Sequence, residues 1–96
     1  MADQLTKDGA VQIATADAAK RAGVDASAVR VESVESSTFP NSALGAARPG
    51  EMSADMMASG WTVRVSAGGR AMEYRANARQ VRLVNFDGNN HVVYPS

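Results

Sequence analysis

Ninety-six residues, ten basic and ten acidic side chains and no cysteine exclude two separate cores, a disulfide framework and a sulfur-based zinc or nucleophile site. Balanced charge also removes the electrostatic basis for nonspecific nucleic-acid binding. Ile, Leu, Val and Phe total 17 residues against eighteen alanines, so the core must be thin, but zero net charge argues for a folded domain over a disordered chain.

The opening Met1-Ala2-Asp3-Gln4 carries neither the basic nor the apolar region of a signal peptide, and no apolar run approaches the length of a membrane span. From Thr6 to Ala22, Val11, Ala14, Thr15, Ala18 and Ala22 recur at three- and four-residue spacing, which predicts one long helix with Ile13 beside its apolar stripe. Thr6 or Asp8 can cap its start, Lys20 and Arg21 complement the dipole at its end, and Gly23 suits a left-handed C-terminal cap. Asp25-Ala26-Ser27-Ala28 reads as a short turn.

At Val29 the period changes to two. A first strand is expected from Val29 to Ser37, and because Val34 falls on the face opposite Val29 and Val31 it either contains a bulge or crosses between environments. Trp61, Val63 and Val65 alternate with polar residues, as do Met72, Tyr74 and Ala76, and Gly68-Gly69 between them predicts an antiparallel hairpin. Val81 and Leu83 mark a further strand, Phe86 to His91 a turn, and Val92-Val93-Tyr94 either an edge strand or a frayed end. The fold class expected over 1–96 is therefore a single α+β domain, one N-terminal helix packed on a four-stranded antiparallel sheet in the order α-β-loop-β-β-β. Helix-on-sheet domains of cystatin-like or PepSY-like topology share this order.

The stretch from Phe39 to Gly60 is about twenty residues without a period, a length that inside a compact domain is functional or disordered. Pro40, Asn41, Leu44-Gly45 and Pro49-Gly50 supply turn chemistry that favours order. Phe39-Pro40-Asn41-Ser42-Ala43-Leu44-Gly45-Ala46-Ala47-Arg48-Pro49-Gly50, followed after nine residues by Gly60-Trp61, resembles a family of small, mostly uncharacterised bacterial exported domains. Their loop reads Trp-Pro-Asp-Ser-Ser-Leu-Gly-Cys-x-x-Pro-Gly and is followed by Pro-Gly-Tyr, a strand, a Gly-rich turn and Tyr-Glu-Tyr-His, whose place Glu73-Tyr74-Arg75 takes here. Phe39, Asn41 and Ala46 stand where that family has Trp, Asp and Cys, and its second cysteine near the end of the sheet has no counterpart. A disulfide joining those two in relatives would be absent here. The resemblance, over about Val29 to Val84, implies the fold and an exported origin, secreted or periplasmic, and it supplies no reaction.

Chemistry-bearing residues are sparse. His91 is the lone histidine and reads as a turn or surface residue; Asp87-Gly88-Asn89-Asn90 lacks the ligand spacing of a calcium loop. Glu32, Glu35 and Glu51 read as solvated rather than paired carboxylates, and no nucleophile elbow or phosphate loop occurs. Arg64, Arg75 and Arg82 are expected on a solvated sheet face balanced by Glu73, an anionic partner or acidic protein surface being the alternative. Met52, Met56 and Met57 are expected to fill gaps in a core poor in Leu and Ile, adaptable contact being the other use of such side chains. No catalytic residue, metal site or cofactor is expected, and the chain reads as non-enzymatic. The leading expectation is a small binding module, in a protease-inhibitor-like manner, that presents the 41–50 loop to a protein partner through Asn41, Ser42, Leu44, Arg48 and Pro49. The alternative is a structural or oligomerising domain, monomer or weak homodimer, that pairs through the edge near Val92 to Tyr94.

Overall fold

The computed structural model describes residues 4–95, which form one long helix, a short 3-10 turn and five strands. Of the opening tetrapeptide read for a targeting signal, Met1–Asp3 lie outside the described residues. Helix α1 spans Lys7–Ala22 and starts at Thr6, whose hydroxyl accepts the Gly9 N–H at 3.0 Å. It ends at Gly23 with φ 70°, and the Val24 N–H returns to the Ala19 carbonyl, closing a left-handed cap that a β-carbon would strain. A 3-10 turn at Ala26–Ala28 leads into β1, Arg30–Phe39. Then come β2 (Ala58–Ala67), β3 (Arg70–Ala76), β4 (Val81–Phe86) and β5 (Asn89–Tyr94).

The sheet is fully antiparallel in the order β1-β2-β3-β4-β5. It has five strands where four are expected. The difference lies at the C-terminal turn, which takes only Asp87 and Gly88, both at positive φ (54° and 83°), and so leaves Asn89 to His91 free to pair with β4. The Gly68-Gly69 hairpin uses the same primed geometry, φ 57° and 80°. The expected bulge in β1 falls between Val31 and Ser33. Strands β1 and β2 also run further than their apolar patterns, to Phe39 and from Ala58, which shortens the connecting loop to 40–57.

One sheet face packs on α1. Ala10, Ala14 and Ala18 are completely buried against Val63, Val65, Met72, Tyr74, Val81 and Leu83. Small residues on the helix permit close approach, so the stripe that meets the sheet runs through alanines, and Val11, Ile13 and Trp61 sit at the margin of the core instead of inside it. The buried Tyr74 hydroxyl donates to Asp17 Oδ2 at 2.7 Å, which fixes helix to sheet by a hydrogen bond as well as by packing. Burial, then that hydrogen bond, pushes the Tyr74 phenol well above its ordinary range. Among the described residues no helix is long and apolar enough to cross a membrane.

Candidate functional site

The other sheet face is covered, in part, by the 40–57 loop. Arg75 and Arg82 stand directly opposite each other on β3 and β4, an arrangement of like charges that costs stability unless each is neutralised. The loop supplies what they need. Arg75 Nη1 donates to the carbonyls of Leu44 and Gly45 at 3.0 and 3.1 Å, its Nε to Glu73 at 3.0 Å, and its guanidinium lies 5.7 Å from the centre of the Phe39 ring. Arg82, only 6% exposed, makes a two-pronged pair with Glu51, each bond 2.6 Å, and also reaches the Ala46 carbonyl. The expected solvated basic face is thus corrected at these two positions, because a loop lacking strand partners satisfies its carbonyls on the nearest planar cations. Glu51 is likewise paired and not simply solvated; the Arg82 guanidinium, helped by the Arg48 backbone N–H, lowers its carboxyl to about 2. Arg64 remains an exposed position, paired with Glu35 at 2.9 Å.

The expected contact residues divide into anchors and presented groups. Asn41 Oδ1 accepts the backbone N–H groups of Ala43 and Gly45, both at 3.0 Å, and so builds the turn that starts the loop. Ser42 exchanges both a backbone and a hydroxyl bond with Ala54, at 3.0 and 2.7 Å, and its carbonyl accepts from Gln80 Nε2. Leu44 is completely buried, at φ 59°, so it cannot touch a partner; its side chain pins the loop, and that burial offsets the cost of a left-handed backbone, about 1–2 kcal/mol for a non-glycine residue. Gly45 follows at φ 66°, where a β-carbon would lie 2.7 Å from Arg75 Nη1. A side chain there would add left-handed strain and push the guanidinium off the carbonyls it binds.

Arg48 and Pro49 are the exposed members of the set. They border an open cleft completed by Asn85, Gly88, Asn89 and Asn90 from the β4–β5 hairpin. Asn90 couples the two walls: its Nδ2 donates to the Ala47 carbonyl at 2.9 Å while its Oδ1 accepts from the Asn85 N–H at 2.8 Å. The cleft therefore offers one cation, held only loosely by Glu51 at 4.0 Å, beside carboxamides that both donate and accept. Sequence reading finds Arg48 and Pro49 but misses the hairpin residues, since forty residues separate them and asparagines beside a glycine already explain a turn. His91 stays a hairpin residue, with Nε2 3.4 Å from the Phe86 carbonyl and its ring edge-on to Phe86.

The methionines depart most from expectation. Met52, Met56 and Met57 are 95%, 65% and 76% exposed, so they do not fill the core; Met72 alone of the described methionines does, at 4%.

A family model described as a domain of unknown function, DUF8738, matches residues 11–84, from within α1 to β4 and across the whole loop, and the chain belongs to that family. No curated protein and no solved structure matches the chain.

Proposed function

We propose that the domain is a non-enzymatic binding module that presents the Arg48-Pro49 tip of its loop, together with the facing Asn85–Asn90 hairpin, to a protein partner. The observation that carries this reading is a loop tied down by Arg75, Arg82, Gln80 and Asn90 whose tip nevertheless leaves a cation in an open cleft, beside the exposed carboxamides of Asn85 and Asn89. A loop ordered in advance loses little conformational entropy on docking, which is how protease-inhibitor-like modules gain affinity from few contacts. The chemistry fits an extended peptide segment with an acidic side chain or a terminal carboxylate for Arg48 and backbone amides for the asparagines. The loop's resemblance to exported bacterial domains supports a secreted or periplasmic setting.

Comparative capture tests the proposal. A protein retained by the unaltered domain from extracellular or periplasmic material should be lost on Arg48→Glu or on Asn89→Ala with Asn90→Ala, and kept on Lys7→Glu at the exposed start of α1, which lies by the β3–β4 turn. Retention that ignores the cleft substitutions sinks it.

A second reading rests on the sheet edges. β1 is an edge protected by a bulge and by Arg30, Glu32 and Glu35, whereas the outer edge of β5, Asn89–Tyr94, has no charged side chain. Pairing of two copies through β5 would give a weak homodimer; light scattering that finds a strict monomer at high concentration excludes it.

A further inference from the structure

We infer that Met52, Met56 and Met57 form a thioether site for a soft monovalent cation, copper(I) being the biological one. Three methionines within six residues are each at least 65% exposed, in a chain whose aliphatic side chains barely suffice for its core. Their backbone is not loose. It is fixed at Glu51 by the two-pronged bond to Arg82, at Ala54 by the reciprocal bonds to Ser42, and at Ala58 by the register opposite Phe39. The backbone bends at Asp55, between Met52 and the Met56-Met57 pair.

Ligand chemistry selects the ion. Thioether sulfur is soft and uncharged, so it binds copper(I) or silver(I) and ignores magnesium, calcium and zinc, which prefer oxygen, imidazole or thiolate donors. The chain has no cysteine, and its lone histidine stands in the β4–β5 hairpin, outside the methionine run. Three neutral donors around a singly charged ion leave one positive charge, and Asp55, exposed within the same run, supplies a carboxylate of opposite sign. A backbone held at three points also reduces the entropy lost when the side chains close on an ion. This site is separate from the Arg48 cleft and does not depend on a protein partner.

The test uses the full domain with silver(I), and with copper(I) under anaerobic reducing conditions against a chromophoric chelator. One ion should bind per chain, and the methyl resonances of Met52, Met56 and Met57 should shift while that of buried Met72 stays in place. Replacing all three by leucine keeps their size and apolarity and removes only sulfur, so it should abolish binding with an unchanged circular dichroism spectrum; each single substitution should weaken binding roughly 10-fold or more. Equal binding by the triple leucine variant, or saturation without movement of those three methyl signals, overturns the inference. A surface that merely docks protein would tolerate leucine and show no response to silver(I).

Discussion

At Gly60 the chain passes so close to β3 that a β-carbon there would overlap the Ala76 carbonyl oxygen, a backbone atom that cannot rotate away. Gly60→Ala should therefore cost at least about 2–3 kcal/mol in chemical denaturation, well above an ordinary strand glycine replacement, or prevent folding altogether. Glu51 makes a different residue-scale prediction. Its carboxyl is held near 2 in the folded chain against 4.5 when unfolded, so the unfolded state takes up the proton first. The stabilisation is complete above about pH 4.5 and is lost as the pH falls through the interval down to about 2. Allowing for solvent around the pair, roughly 1–2 kcal/mol is at stake. Urea unfolding of the parent and of Glu51→Gln at pH 6 and pH 3 should show the difference between them shrinking at the lower value.

Elements were unequally legible. The helix, its Thr6 and Gly23 ends, the bulge in β1 and the Gly68-Gly69 hairpin follow from residue spacing because each depends on neighbours a few positions away. The fifth strand was obscured because Asn89-Asn90 resembles turn filler, although Asp87-Gly88 alone completes the turn. Arg75 and Arg82 alternate as solvent-facing residues do, and no local pattern says that a loop some thirty residues upstream will cover them. Arg82→Met should expose this dependence. It strands the Glu51 carboxylate and frees the Ala46 carbonyl, so we expect a loss of about 2–4 kcal/mol and, by hydrogen exchange, faster exchange in 43–54 than in α1. Tyr74→Phe loosens the opposite face: without the bond to Asp17 the helix should be destabilised relative to the sheet by about 1 kcal/mol, measured by denaturation followed at Trp61.

For the whole molecule, composition set the right limits. Zero net charge and a pI near 6.6 place the minimum of repulsion between copies close to neutral pH, so solubility should be lowest near pH 6.6 and rise on either side, as turbidity against pH would record. The thin aliphatic count is accommodated by using alanine where helix meets sheet and by closing the second face with hydrogen bonds around a small apolar patch of Phe39, Ala43, Leu44 and Ala46. That economy leaves Met52, Met56 and Met57 outside the interior, whereas a thin aliphatic count taken alone points them into it.

The strands follow one another across the sheet without a crossover, and this sets the order in which the molecule can assemble. Hairpin turns of two, four and two residues let β2, β3, β4 and β5 zip together from nearby contacts, each bringing its neighbour within reach. The loop cannot join that process early, because its ties to Arg75, Arg82 and Asn90 span 31, 36 and 43 residues and need a completed sheet. On a ribosome the loop emerges before the residues that will hold it. The segment proposed to meet a partner is thus the last to be secured and the first to detach under stress, and a nascent or partly unfolded chain should lack its binding surface while its hairpins are already in place.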